Sequence, residues 1–495
     1  MKIARGWRLM GKIALAIACL AGAADAEPPI SEASLMRHIA TLAGDAMEGR
    51  RPGTAGGERA VAYIVEQMQA IGLQPGAKDG GWLQPVKLVE RRPVSTGMTA
   101  SLGGTTVVLD PGDLILIGRE AETRIASAPL IFAGFATGAA LDGVDLKGAI
   151  VLLLAGKPQG AGEVPNMAER RAELVRRGAA GLIVPMAAGL PWAEVRRQYE
   201  AGRIVSAEAP EPGLQGAISH FGWSRIATAA GSEAMKLVAE AGTADFRARP
   251  IGHVAIDVRT EVHGFESHNV IGRLAGTTRP DEAILYLAHW DHLGLCRPAG
   301  TKDRICNGAV DNASGVALML ETARLLAQAP RPGRSLMFMA TTAEESGLLG
   351  ARAFVRDPPV PLGSIRAAIN FDTVAVAPRG RAIATIGRGM TPLDPLVDAA
   401  ARAVGRTSDT RTVQNMLVER QDGWALIQAG VPAIMPGSAF ADMERLNRFL
   451  AGDYHGPGDE AGKGIELGGA AEDGAFFVML GRLLADPERF PTVSR

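Results

Sequence analysis

The feature that most constrains this chain is an apolar run that ends in metal-ligand chemistry. Residues 284–288 (ILYLA) lead into HWDHLG (289–294), and after a short polar loop the chain reads NGAVDNASG (307–315). A short apolar run bounded by turn residues reads as a buried strand. Such a strand delivers His289 and Asp291 to its C-terminal edge. Asp311 and Asn312 then open an apolar helix that starts near Ser314, where a carboxylate faces the positive helix end and can hold an ion. One strand end and one helix start thus supply N and O ligands from different elements, as sites at the edge of open α/β sheets do.

The surroundings fit that reading. From Asn269 onward strand and helix patterns alternate, with strands expected at 269–274, 284–288, 335–341, 367–371 and 431–435. Helices are expected at 314–328, 347–355, 393–403 and 469–485. This is the α/β class, with a mixed, mostly parallel central sheet flanked by helices. Upstream, 31–43 reads as a helix with Leu35, Ile39 and Leu42 inward. A turn-rich loop (44–57) and a second helix ended by Gly72 follow. Between about 111 and 250 short apolar strands alternate with Gly-rich turns, and one helix is expected at 167–177. This block has no ligand-like spacing and reads as an inserted β-rich module. The expected division is 1–26, 27–110, 111–250 and 251–495, with the second and fourth segments forming one domain.

Residues 1–26 read as a signal peptide. Lys2, Arg5, Arg8 and Lys12 precede an apolar run from Ile13 to Ala23, and Ala24-Asp25-Ala26 is an A-x-A cleavage site. The chain is therefore expected to be exported, periplasmic or secreted, with no membrane span after cleavage. A lipoprotein reading would make Cys19 the mature terminus but leaves a very short apolar core. Without the signal, 48 Lys and Arg face 52 Asp and Glu, which excludes neither peptides nor small molecules but gives no sign of nucleic acid as a partner. Cys296 and Cys306 remain. In an exported chain they are expected to form a disulfide, contributing roughly 2–3 kcal/mol by the loop-entropy argument. Reduced thiols or soft metal ligands are the alternative.

Acids and histidines recur at the other expected strand ends. Glu344 and Glu345 follow 335–341, Asp372 follows 367–371, and His455 lies in a Gly/Pro loop before the last helix. With His289 and Asp311 these make five ligands, His289, Asp311, Glu345, Asp372 and His455. Two His with three carboxylates suit zinc better than an all-oxygen calcium site. Five are too many for one tetrahedral ion with an open position, and fit two ions if one carboxylate is shared. Each residue alone has an ordinary explanation: a packed histidine, a helix cap, a solvated turn. Their common position at strand ends favours a metal site and does not identify a substrate.

The sequence resembles the co-catalytic zinc aminopeptidases of the bacterial leucyl aminopeptidase type, to which glutamate carboxypeptidase II and the transferrin-receptor ectodomain are distantly related. The segments that carry the likeness are LAGDAMEGRRPGTAGGERAVAYI, HWDHLG, NGAVDNASG, TTAEESGLLG, NFDT, AGVPAI and DYHGPGDE, in this order. The 111–250 block resembles a protease-associated domain through FAGF, GVDLKGAIVLLL and GAAGLIVP. The resemblance implies two Zn²⁺ per chain. His289 and Asp372 would bind one ion, Glu345 and His455 the other, and Asp311 would bridge them. Asp291 would orient His289 by accepting its ring N–H. Glu344 would be the general base, taking a proton from a metal-held water and passing it to the leaving amine. Tyr454 and Asp422 would touch substrate. Many members carry Ser-Asp-His where this chain has Gln421-Asp422-Gly423, which alters the substrate loop and leaves the metal positions untouched. His292 reads as a pocket, solvent or outer-shell residue. The activity implied is removal of N-terminal residues from peptides with a free amine. A carboxypeptidase, a glutaminyl-cyclase-like transferase and a non-catalytic binding ectodomain are the alternatives on the same scaffold.

Overall fold

The computed structural model describes residues 30–162 and 164–491. The expected signal segment and Cys19 lie outside them. Helix α1 (Glu32–Leu42) starts at Ser31, whose side chain and that of Ser34 form a capping box. Helix α2 (Ala55–Ile71) starts at Thr54, whose hydroxyl accepts from the Gly57 N–H, and stops at Gly72 in the left-handed conformation. Strand β1 (Leu83–Leu102) and strand β2 (Arg249–Leu274) follow, then β3 (Arg279–His289). The remaining elements are α3 (Ser314–Gln328), β4 (Arg334–Thr341), α4 (Leu349–Arg356), β5 (Ile365–Asn370), β6 (Ala384–Ile386), α5 (Asp394–Ala403), α6 (Gly423–Gln428), β7 (Ala433–Gly437), α7 (Met443–Ala451) and α8 (Gly468–Ala485).

The sheet order in this part is β6-β7-β5-β3-β4-β2. β3 pairs parallel with both β4 and β5, and β5 pairs parallel with β7. β2 and β6 close the two sides antiparallel. Every residue of β4, and β3 from Ala283 onward, is buried. A parallel sheet covered on both faces requires such continuous apolar runs rather than alternation. On one face α1, α2, α3 and α8 pack their apolar sides against Ile284, Tyr286, Phe338 and Phe371. On the other, Phe354 of α4 and Leu426 of α6 meet Leu285, Leu287, Met337 and Met339. The sheet is therefore clamped, and the C-terminal ends of β3, β4 and β5 share one edge.

The sequence pattern splits 82–102 into two short strands. In the structure β1 is continuous, because its polar middle pairs with β2 from Val270↔Leu83 to His253↔Ser101, with one bulge at Val94. A half-exposed ladder needs no apolar face along its whole length. This pair forms a stem into the inserted module. There β2 also pairs with Glu122–Phe132, and the sheet runs on through Ile150–Leu152, Gly181–Pro185, Leu214–Ile218 and Leu114–Gly118. The module has its own core, with Phe132 stacked on Trp223 and edge-on to Phe246. That core also takes in Met98, Ala100, Val254 and Ile256 of the stem. Besides the expected helix (Met167–Arg176), the module has three that the Gly-rich pattern concealed: Trp192–Glu200, His220–Ala229 and Ala234–Ala241. Strands and helices therefore share it.

Close contact between α8 and β3 rests on one glycine. A Cβ on Gly481 would lie 1.8 Å from the Tyr286 hydroxyl, and Tyr286 is fully buried. Gly481→Ala is expected to lower the unfolding free energy by about 1–3 kcal/mol, as overpacking does, read from denaturant melts of the mature protein.

Candidate metal centre

The site is assembled from four loops on one sheet edge. β3 ends at His289, and the Trp290 N–H donates to the Thr341 carbonyl, 2.9 Å away, tying its exit to the end of β4. Glu344 and Glu345 come from the β4 exit, and Asp372 from the β5 exit. Asp311 lies in an irregular stretch, with φ −110°, just ahead of α3. It is therefore not the helix cap; Ser314 is the first helical residue. Ala343, Thr373 and His455, each beside or within the cluster, have φ of 52°, 52° and 57°. Left-handed backbone at three non-glycine residues of one site is strain held by its surroundings.

The structure brings all five expected ligands together. His289 Nε2 lies 3.2 Å from Asp311 Oδ1 and 3.7 Å from Asp372 Oδ1. His455 Nε2 lies 3.3 Å from Asp311 Oδ2 and 2.9 Å from Glu345 Oε2. Asp311 thus turns one oxygen to each histidine. His292 is also in the cluster, fully buried, with Nδ1 2.6 Å from Glu345 Oε1. Of its expected readings, burial removes the solvent one, while the contact with Glu345 fits an outer-shell residue. Two overlapping groups have ligand atoms within 4.8 Å of one another: His289, Asp311 and Asp372, and His292, Asp311 and Glu345. Asp311 belongs to both.

Asp291 and Asp422 differ from their expected contacts. His289 Nδ1 meets the Asp291 main-chain carbonyl at 3.1 Å, while the carboxylate Oδ1 is 3.9 Å away. That carboxylate instead accepts the Glu344 N–H at 3.0 Å. Asp291 still sets the imidazole's direction, through its backbone. Asp422 is 1% exposed and accepts a hydrogen bond from the Thr341 hydroxyl. It lies behind the cluster rather than on the pocket wall, because α6 docks its first turn against the end of β4. Tyr454 does face the pocket. Its ring stacks on His455 with centroids 3.7 Å apart. The wall beyond the ligands is apolar, made by Leu417, Met435, Phe440, Leu446 and Leu450, with Arg420 as its one arginine. The Arg420 guanidinium donates to the Tyr454 hydroxyl at 3.3 Å.

Burial and mutual repulsion dominate the electrostatics. Burial pushes Asp291 up to about 7 and Asp422 up to about 6. It raises Glu344 well above the carboxylate range, and the neighbouring Asp422, Glu345 and Asp372 act in the same direction. Burial opposes ionisation of Asp311 as well, yet the adjoining imidazoles of His289 and His455 hold it well below the usual range. Burial works against charge on His455, and Asp311 and Glu345 nonetheless raise it to about 10. Asp311 Oδ2 and His455 Nε2 are buried atoms that face each other with no hydrogen-bond partner. Orphaned N and O donors amid surplus carboxylates are the arrangement a divalent cation satisfies, and the imidazole and carboxylate set suits zinc.

Two residues outside the expected set hold the cluster in shape. Asp459 accepts the Val310 N–H at 2.8 Å and the Asp311 N–H at 3.0 Å. Arg50, fully buried, donates through Nε to the Trp290 carbonyl and through its terminal nitrogens to the carbonyls of Leu42, Asn307 and Gly308. It ties both ligand loops to the end of α1. Burial lowers its pKa to about 10, against the nearby Asp459, Asp311, Asp291 and Glu345. Both residues sit inside the quoted segments EGRRPG and GPGDE. Only the long-range contacts reveal their partners.

An open α/β sheet with two overlapping His and carboxylate groups at its strand ends suits metal-assisted hydrolysis. Residues 269–475 match the model of peptidase family M28. The chain is 32% identical over 109 residues to mouse "Aminopeptidase NAALADL1", covering 21% of this chain and 13% of that protein. It is 28% identical over 207 residues to a "Probable zinc metalloprotease" of Pyricularia oryzae, covering 40% of this chain and 38% of that protein. The matches thus span less than two fifths of either relative. The fold is shared with the aminopeptidase from Aneurinibacillus sp. strain AM-1, at 18% identity and a TM-score of 0.58, over 93% of this chain and 96% of that one.

Arg50→Met is expected to lower the unfolding free energy by about 3 kcal/mol or more, since four buried carbonyls lose their donor. Urea unfolding of the mature protein measures it.

Proposed function

We propose that the chain is an exported zinc aminopeptidase that holds two zinc ions and removes N-terminal residues from peptides with a free amine. The observation that carries this reading is Asp311, which turns one oxygen to His289 and the other to His455. One ion would be held by His289, Asp311 and Asp372, the other by Asp311, Glu345 and His455. Bound zinc supplies Lewis acidity for the scissile carbonyl and acidifies a coordinated water. His292 holds Glu345 from behind through its Nδ1, and Asp459 holds the Asp311 backbone.

The remaining chemistry belongs to Glu344. It lines the pocket beside His289 and Asp372. Its amide is fixed by the Asp291 carboxylate, so its position follows that of His289. Burial raises its pKa, and cations beside it would restore the ionised form. In that form the carboxylate takes the proton of the attacking water and hands it to the amine of the leaving fragment. The acids at the inner end suit a substrate ammonium group, and the apolar wall suits an uncharged side chain. The inserted module and its stem stand beside the site and limit the size of peptide that reaches it. Among the described residues no helix is long and apolar enough to cross a membrane.

A carboxypeptidase is the second reading. Arg420 is a cation on the pocket wall, and a terminal carboxylate needs one there. A short peptide with its N-terminus free and then acetylated separates the two. The aminopeptidase reading expects loss of the first residue from the free form and no cleavage of the acetylated form. Release of the C-terminal residue from both would move the assignment to the second reading. Glu344→Gln is expected to keep both zinc ions by elemental analysis while turnover falls roughly 10²–10⁴-fold. Loss of zinc together with activity would remove Glu344 from the role of base.

A further inference from the structure

The inserted module contains a cluster of guanidinium groups that the chemistry above does not use. Arg91 of β1 and Arg203 of the strand Arg203–Ser206 are directly opposite in an antiparallel pair. Like charges in that position repel. Arg91 is 7% exposed, and Arg203 and Arg171 are half-buried. Arg171, from the helix Met167–Arg176, and Arg203 both donate to one oxygen, Gln215 Oε1, the latter at 3.0 Å. Two guanidiniums therefore converge on a buried neutral amide, with Arg91 beside Arg203 across the strand pair.

No carboxylate forms a direct ion pair with them. Among the described residues none of the three arginines has an ion-pair partner within 4.0 Å. The nearby acid, Glu211, instead accepts from the Gln215 amide nitrogen at 3.3 Å. Arg91 bonds a carbonyl, that of Arg119, through Nε at 3.1 Å, and its terminal nitrogens have no partner among the described residues. Burial lowers the pKa of Arg91 and Arg171, and Arg203 acts in the same direction on both, while Glu211 opposes it from a distance. Buried charge without a counter-charge is costly, and an ion that supplies several acceptor oxygens removes that cost.

We propose that Arg91, Arg171 and Arg203 form a binding site for a small oxyanion in the inserted module, separate from the metal centre. The ligand chemistry is that of a carboxylate or a tetrahedral inorganic anion, because planar guanidiniums bind both through paired N–H donors. Gln215 presets two of the arginines, and the stem presents the third.

Calorimetric titration of the zinc-loaded mature protein at fixed ionic strength tests this, with sulfate, propionate and propionamide as probes. Saturable sulfate binding is expected, weakened about tenfold or more in Arg171→Gln and in Arg203→Gln with zinc content unchanged. Sulfate binding without propionate binding assigns the site to free inorganic anions, and binding of both extends it to carboxylates such as a peptide terminus. Thermal melts give a second reading, since sulfate should raise the midpoint of the natural protein and not of either variant. Absence of saturable sulfate binding, binding unchanged in both variants, or equal binding of neutral propionamide would overturn the site. None of these outcomes depends on whether the metal centre cleaves peptides.

Discussion

The arrangement of the molecule depends on mutual repulsion among carboxylates gathered in a buried space. Asp291, Asp311, Glu344, Glu345, Asp372, Asp422 and Asp459 lie on or behind one sheet edge, and all are shielded from water. Left alone, such a group would take up protons or spring apart. The imidazoles of His289 and His455 and the Arg50 guanidinium supply part of the opposing charge. Arg50 does so without bonding any carboxylate. It holds four main-chain carbonyls, so its charge stays in place while its hydrogen bonds define the paths of two ligand loops. The rest of the opposing charge is what divalent ions bring, which links formation of the site to metal binding.

Rigidity of the sheet turns that electrostatic tension into geometry. β3, β4 and β5 are hydrogen-bonded in parallel and buried on both faces, so their C-terminal ends cannot slide relative to one another. The loops that follow are short and cross-tied: Trp290 to Thr341, Glu344 to Asp291, Asp311 to Asp459. Each tie joins one expected functional residue or its neighbour to a different loop.

The module is joined to this centre by two long strands rather than by a loose linker. Val86 and Leu88 of the stem pack with Ala343, the residue before Glu344, and with Ile204 of the module. Module, stem and β4 exit therefore share an apolar contact within one residue of the proposed base. The guanidinium cluster lies on the opposite side of β1, since Arg91 alternates with Leu88 and Glu90 along the strand. Position of the module and charge within it are thus separate properties of the two faces of one strand.

Much of this was legible in the residues themselves. Continuous apolar runs announced the parallel strands, and the His and acid pairs after them announced the edge. The bounds of α3 are the ones the pattern predicts, 314–328. Periodicity and turn chemistry are local, so local elements and the residue types at their ends can be read from order alone. Contacts between distant segments were decided only by the tertiary structure. Periodicity did not say that the Asp291 carboxylate would serve Glu344 while its carbonyl meets His289, or that Asp422 would be buried behind the cluster. Arg50 stood in the sequence as one basic residue of a turn, and its four acceptors come from three separate parts of the chain. Arg91 and Arg203 lie far apart in order and became neighbours through strand register. The sequence alone determined which chemistry is available, because side-chain type is local. Which atom faces which was left to the fold, because hydrogen bonds and repulsions among buried groups depend on distances that only packing sets.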